Sequence, residues 1–344
     1  MKLGIGIGYG EPHYQVPIER IQRAEALGYH SVWTAETYGA DALSPLAFIA
    51  AHTKRIKLGT GVVQLDARTP ANLAMTAQTI DAMAGGGRVM IGIGVSGPQI
   101  VEGWYGRPWG KPNPKLRDTV AIVKKILQRQ GPVSHEGKAF SLPYRGEGAI
   151  GLGKPLKSIL YGDPNLPILL GTTTELNVRM TAEVADGWLC GHVVPSMMKQ
   201  YFLPILEQGL AKRTDGKTLK DFDIVCGVGV NMTDDVKAAL QAPKQHIALF
   251  VGGMGAKEMN FHTEGMIRRG YKDAALRIQE LFLAGRKQEA VEAVPDEYVD
   301  EEWLIGPPAR LKERYAAWRD AGFTELTVRR SSPEAMEAMA KIAL

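Results

Sequence analysis

Several things are scarce in this chain. Only two of its 344 residues are cysteines, Cys190 and Cys226, with no Cys-x-x-Cys pair and no paired histidine cluster. Both read as small buried apolar residues rather than a disulfide or metal ligands. No apolar stretch approaches the roughly 18 residues of a membrane span. Lys2-Leu3-Gly4-Ile5-Gly6 reads as a strand at once, leaving no room for a signal peptide. A reducing cytoplasm is the expected compartment. Charge of one sign is scarce too: the net charge is +4, and Arg268-Arg269 and Arg329-Arg330 are isolated pairs rather than a basic block. Nucleic acid and membrane are therefore not expected partners. His-Glu-x-x-His and Gly-x-Ser-x-Gly are absent, so no metal is expected and no serine nucleophile elbow is present. Few obvious catalytic side chains are compatible with a redox cofactor that supplies the reactive atom.

What is present is an alternation of short strands and helices. Strand-like runs rich in Val, Ile and Leu fall at Leu3–Gly8, Ser31–Ala35, Ile56–Val63 and Arg88–Gly94. Four more fall at Pro167–Gly171, Gly187–Gly191, Phe222–Val230 and Glu325–Arg329. Such runs suit strands buried on both faces. Leu116, Val120, Val123 and Leu127 share one helical face, and Leu311, Tyr315 and Trp318 repeat that spacing between Pro307-Pro308 and Gly322. A further helix is expected from about Pro17 to Leu27, stopped by Gly28. Eight strands with intervening helices predict an α/β fold, a TIM (β/α)8 barrel, as one domain over 1–344. Two stretches exceed a minimal barrel and read as insertions, at about 131–165 with a hairpin near Val133–Leu142, and at about 252–306 with a helix near Ala274–Ala284.

In such a barrel the chemistry sits on loops at the C-terminal ends of the strands. Gly92-x-Gly94-x-x-Gly97 has the spacing of a dinucleotide loop, but that motif needs a helix starting at its glycines. Pro98, Gly103, Gly106, Pro108, Gly110, Pro112 and Pro114 put the first expected helix near Lys115. The loop instead carries Ser96, Trp104, Tyr105 and Trp109. After the first strand come Tyr9 and His13, and after the second come Glu36 and Tyr38. Glu36 suits a general base, a hydrogen-bond acceptor for a cofactor, or a partner for an arginine. Gly59 and Gly61 inside a strand suggest a bulge or a close backbone approach. Gly171-Thr172-Thr173-Thr174-Glu175 leads from strand to helix and could cradle a phosphate, or simply cap the helix through Thr172 or Thr173.

Taken in order, several stretches resemble the luciferase-like monooxygenase superfamily, and more closely its oxidoreductases that use coenzyme F420, an 8-hydroxy-5-deazaflavin. They are Ser31-Val32-Trp33-Thr34-Ala35-Glu36, Arg55 through Val62, Ala67-Arg68-Thr69-Pro70 and Gly92 through Trp104. Ala182 through Trp188, Val251-Gly252-Gly253-Met254-Gly255 and Gly306-Pro307-Pro308 complete the set. The Ser-Gly-Pro-Gln…Glu-Gly-Trp segment favours the deazaflavin branch over the flavin branch.

The resemblance implies a deazaflavin ring across the barrel mouth and a non-prolyl cis peptide at Gly61-Val62 whose bulge supports the ring. It also implies ring contacts from Ser96 and Gly97, and a hold on the ribityl phosphate end by Leu170, Gly171, Thr172 and Thr173. Gly191 and His192 fall where relatives also touch cofactor, and a homodimer is common in the family. Two departures stand out. Thr37 replaces the histidine that many relatives place after the acid, and Gly171-Thr172-Thr173-Thr174 replaces a Gly-Pro-Lys/Arg-Asn sequence. The implied activity is hydride transfer between coenzyme F420 and a small organic substrate, with Glu36, Tyr38 or His13 handling the proton. Tyr9, Trp104, Tyr105 and Trp109 would line the substrate pocket. The alternatives are an FMN-dependent monooxygenase using oxygen, and a binding protein that holds the cofactor without turnover.

Overall fold

Among the described residues twelve strands appear in chain order: β1 (Lys2–Gly6), β2 (Ser31–Thr34), β3 (Lys57–Thr60), β4 (Val63–Gln64), β5 (Val89–Gly94), β6 (His135–Glu136), β7 (Ser141–Leu142), β8 (Ile168–Gly171), β9 (Gly187–Cys190), β10 (Asp223–Met232), β11 (Leu304–Gly306) and β12 (Glu325–Arg329). The computed structural model describes every residue except Gly255, Ala256, Glu258, Met259 and Arg330. Gly255 of the Val251–Gly255 stretch and Arg330 of the second arginine pair thus lie outside the described residues. Each of the eight expected runs carries a strand. The first ends at Gly6 rather than Gly8, and the third is split into β3 and β4. Order and alternation are those of a (β/α)8 barrel.

The contacts divide the chain into two units. The first holds Gly4–Cys190 and Leu203–Val225, and the second holds Met1–Leu3, Gly191–Phe202 and Cys226–Leu344. In the first unit β1, β2, β3, β5, β8 and β9 follow one another as parallel neighbours, and β4 pairs with β5. β5 is buried at all six positions, as a strand covered on both faces must be. Trp33, Met90, Leu169 and Val225 form one buried apolar cluster, with Leu189 against it. Close packing explains two glycines of this unit. A Cβ on Gly59 would stand 2.4 Å from the Trp33 ring, and one on Gly92 only 1.9 Å from the Thr60 carbonyl oxygen.

Helix starts follow the expected chemistry. Pro70 opens its helix behind Thr69, whose hydroxyl accepts the Asn72 amide, and Pro333 opens the last helix behind Ser332, whose side chain accepts from Ala335. Proline fits a first turn because its missing N–H would be unpaired there anyway. The same device corrects one expectation. A single helical turn, Pro98–Val101, begins directly after Gly97, and the long helix starts at Pro112 rather than near Lys115. The hairpin expected in the first insertion is present as β6 and β7. Beyond it, Tyr144, Ile150, Leu152, Leu156, Ile159 and Tyr161 are exposed.

In the second unit β10 lies between β11 and β12, with Val230 opposite Leu304. The described residues between β10 and β11 carry helices, from Val236–Ala239 to Asp296–Glu302. Its helices close around a core of their own that includes Ile247, Val251, Met266, Ile278, Leu281, Tyr298 and Val299. Among the described residues no helix is long and apolar enough to cross a membrane.

Candidate functional site

The first unit's candidate site starts from one peptide bond and the ion pair beside it. Gly61–Val62 is cis. The Gly61 amide donates to the Thr34 carbonyl at 2.6 Å, and the Val62 carbonyl accepts the Glu36 amide at 3.3 Å. The side chain of Val62 fills the space that glycines leave on two other strands. A Cβ on Gly94 would meet it at 2.5 Å, and one on Gly171 at 2.8 Å. The glycines that end β5 and β8 therefore exist to admit Val62.

Glu36 locks this arrangement. Its Oε1 accepts the Gln64 amide at 2.7 Å and Arg68 Nη1 at 2.6 Å. Its Oε2 accepts the Ala42 amide at 2.9 Å and Arg68 Nη2 at 3.0 Å. Four donors on two oxygens occupy the acceptor sites of a carboxylate, and the two arginine bonds make the bidentate fork. With Glu36 only 8% exposed, the geometry is that of an arginine partner tying the end of β2 to both sides of β4. Sequence reasoning left Arg68 out of the candidate site. Its only signal was a place in Ala67-Arg68-Thr69-Pro70, 32 residues from the carboxylate it holds.

The loop after β5 is tied down from its own length. Trp109 Nε1 donates to the Ser96 carbonyl at 2.8 Å, and Tyr105 donates its hydroxyl to the Thr37 carbonyl at 2.8 Å. Gly97 takes the cap position of the one-turn helix. Trp104 is exposed, with its ring 6.4 Å from that of Tyr38, which is exposed as well. Tyr9 is half-buried and its carbonyl accepts the Ala40 amide at 2.9 Å. His13 is exposed. The structure thus brings Glu36, Gly61, Val62 and Tyr105 into one bonded neighbourhood, while His13 stands on the surface.

After β8, Leu170 is fully buried and Gly171 ends the strand. The Thr172 hydroxyl is engaged with Thr181 Oγ1 at 2.8 Å, and its carbonyl accepts Trp188 Nε1 at 2.8 Å. Thr173 is exposed. The cap of the ten-residue helix Glu175–Val184 is Thr174, not Thr172 or Thr173, and its side chain makes no capping bond.

Gly191 and His192 belong to the second unit. A Cβ on Gly191 would meet nothing within 4 Å. His192 takes a left-handed backbone with φ of 57°, which costs a residue with a Cβ about 1–2 kcal/mol. Its Nδ1 lies 2.6 Å from Glu302 Oε1, and Glu302 Oε2 accepts Arg269 Nη1 at 3.0 Å. Arg269 also reaches Glu301 at 2.9 Å and stacks 3.7 Å over the Tyr298 ring. The His262 ring meets His192 edge-on at 5.2 Å.

The Glu302 charge raises the His192 imidazole above its ordinary value, against the effect of burial. Burial alone would push the Glu302 carboxyl up, but His192 and Arg269 outweigh it and hold it at about 2. Burial, with the His192 charge adding to it, pushes His262 down to about 3. Glu302, Arg269 and His262 were not marked from the sequence, because they are scattered through an insertion without a recognisable spacing. Among the described residues no group of three or more His, Cys, Asp or Glu is placed to hold a metal ion.

An α/β barrel with a cis peptide beneath glycine-ended strands defines a class, and comparison gives the family. The luciferase-like monooxygenase family matches residues 2–325, and the chain belongs to it. It is 41% identical over 344 residues to a Mycobacterium tuberculosis protein named as a coenzyme F420-dependent oxidoreductase, covering 99% of each chain. Among solved structures it resembles the F420-dependent tetrahydromethanopterin reductase of Methanopyrus kandleri, with a TM-score of 0.80 at 21% identity over 99% of this chain and 97% of that one. It also resembles an F420-dependent secondary alcohol dehydrogenase solved with an F420–acetone adduct, with a TM-score of 0.73 at 17% identity over 99% and 98% of the two chains.

The His192–Glu302 pair makes a pH-dependent prediction. A raised histidine stabilises fully below its ordinary value of 6.5 and loses that contribution as pH rises through its folded value. A lowered carboxyl stabilises above 4.5 and loses its contribution as pH falls toward about 2. The pair therefore contributes most between these limits. His192→Asn, which tolerates the left-handed backbone, is expected to lower the urea midpoint most near pH 5.5, and progressively less as pH rises toward 9. A difference independent of pH would show that the pair is not formed.

Proposed function

We propose that the chain is an oxidoreductase that binds coenzyme F420 and passes hydride between its deazaflavin ring and a small organic substrate at the barrel mouth. The observation that carries this reading is the clamped Gly61–Val62 segment, seated against Gly94 and Gly171 and held by Glu36 and Arg68. It offers a fixed backbone ridge for a flat ring, beside Ser96 and Gly97. The start of the ten-residue helix Glu175–Val184, with Thr173 exposed before it, suits the ribityl phosphate end. The residues present therefore fit the cofactor. When bound, the deazaflavin supplies a carbon that accepts or donates hydride.

The chain's own residues orient and seal. Glu36 acts as a positioning residue in this reading, because its four acceptor sites are filled by backbone and arginine donors. Of the other two proton-handling candidates, Tyr38 stands against Trp104 in the loops around the ridge, and His13 is the farther outlier on the surface. Tyr9, Trp104, Tyr105 and Trp109 supply apolar surface for the substrate. The expected homodimer has a candidate contact in the arm bearing Tyr144, Ile150, Leu152, Leu156, Ile159 and Tyr161. Six large apolar side chains exposed within one arm are the kind of surface that marks an interaction site.

Titration of the purified protein with coenzyme F420 and with FMN tests the reading. Saturable quenching of deazaflavin fluorescence is expected, with reduction or oxidation of the bound cofactor when an alcohol, ketone or enone panel is added. Binding of FMN alone with substrate-dependent oxygen uptake would overturn it in favour of a monooxygenase, and binding of F420 without turnover across such panels would favour a carrier. Sedimentation of the same sample is expected to give a dimer that Ile150→Asp with Ile159→Asp converts to monomer. A wild-type monomer would remove the interface.

A further inference from the structure

The second unit contains a cation without a carboxylate. Every other arginine of its C-terminal region with a described ion pair is held: Arg269 by Glu301 and Glu302, Arg310 and Arg314 by Asp300, and Arg319 by Asp320. Arg329, at the end of β12, makes no ion pair among the described residues. Its guanidinium lies across β10, where a Cβ on Gly227 would stand 2.5 Å from the guanidinium carbon. Two residues on, at the same face of β10, a Cβ on Gly229 would stand 2.1 Å from the Trp303 ring. At these two positions the strand face is bare of its own side chains, and a charged group and an indole lie over it.

Beneath Arg329 is a second unmet group. Thr327 precedes it by two residues, so the two share a strand face. Thr327 is 2% exposed, and its hydroxyl has no hydrogen-bond partner. Leaving a buried hydroxyl unpaired is unfavourable, a reason to expect a ligand atom there. Glu325, next on that face, sits about 13 Å down the strand from Arg329. The His192 imidazole is near enough to feel the Arg329 charge, which opposes its protonation. Its Nδ1 is spent on Glu302. A guanidinium with no carboxylate beside it, and an unmet hydroxyl on the same strand face, describe an oxyanion site.

We propose that Arg329 and Thr327, over the bare Gly227 of β10, bind an oxyanion group, a carboxylate or a phosphate, carried by the substrate. Guanidinium forks match the two oxygens of either group, the threonine hydroxyl donates a further bond, and Trp303 offers apolar surface to the body that carries the charge. The site's role as a substrate subsite rests on the oxidoreductase reading, but its capacity to bind an anion does not.

The test is calorimetric titration of the full-length protein with inorganic phosphate and, separately, with acetate, at constant ionic strength in chloride. Binding of one or both is expected. Phosphate alone points to a phosphate-bearing substrate, acetate alone to a carboxylate, and both to general oxyanion recognition. Arg329→Met is expected to weaken that binding about tenfold or more. Gly227→Ala is expected to do the same, because its Cβ displaces the guanidinium. Thr327→Val gives a smaller loss. Coenzyme F420 titration of Arg329→Met should match the wild type. Failure of both ions to bind the wild type, or equal binding by Arg329→Met, overturns the proposal. Failure of F420 to bind the wild type instead overturns the oxidoreductase reading and leaves the oxyanion result to stand alone.

Discussion

The bidentate pair of Glu36 and Arg68 is the constraint on which the first unit's site depends. It joins the end of β2 to the segment after Gly61–Val62, and it does so while nearly dry, with side-chain exposures of 4% and 17%. A buried pair of this kind is not a large net source of stability, because desolvation offsets much of the attraction. Its value is specificity. Two backbone amides, Ala42 from a loop and Gln64 from β4, share the same carboxylate, so the two segments cannot shift independently without leaving a buried charge short of donors. The seat of Val62 between Gly94 and Gly171 follows from that fixed geometry.

The second unit solves a different problem with similar materials. Its helical insertion closes a core of its own and carries Arg269, Glu301 and Glu302 on side chains that neutralise one another. His192 completes that network from the segment that directly follows β9. Against this background of satisfied charge, the buried Thr327 hydroxyl stands out beneath the exposed Arg329. Buried polar groups in folded proteins are ordinarily paired, so the exceptions are where a ligand is worth seeking.

The alternation of strand and helix was legible because strands covered on both faces read as continuous apolar runs, and prolines and glycines mark their limits. The third strand's break was harder. Gly59 and Gly61 announced a close approach, and the family resemblance located the cis bond at Gly61–Val62, where the structure has it. The one-turn helix after Gly97 was missed because prolines read as breakers when, at the first position, they start helices. The role of Thr174 as cap was missed among three consecutive threonines, which local sequence cannot rank. The neighbours of Glu36 were the least visible. A carboxylate at a strand end suits catalysis and anchoring equally, and only the fold shows that Arg68, 32 residues away, fills its free positions.

The proposed role of the Glu36–Arg68 clamp is to build the surface on which coenzyme F420 would rest. The most direct measurement is a double-mutant cycle over Glu36→Gln, Arg68→Met and both together, read by coenzyme F420 affinity and by urea unfolding. The account predicts that each single change weakens both quantities, and that the double variant loses less than the sum, with a coupling of about 0.5–3 kcal/mol in stability. Additive losses, or single variants that bind the cofactor as the wild type does, would contradict it.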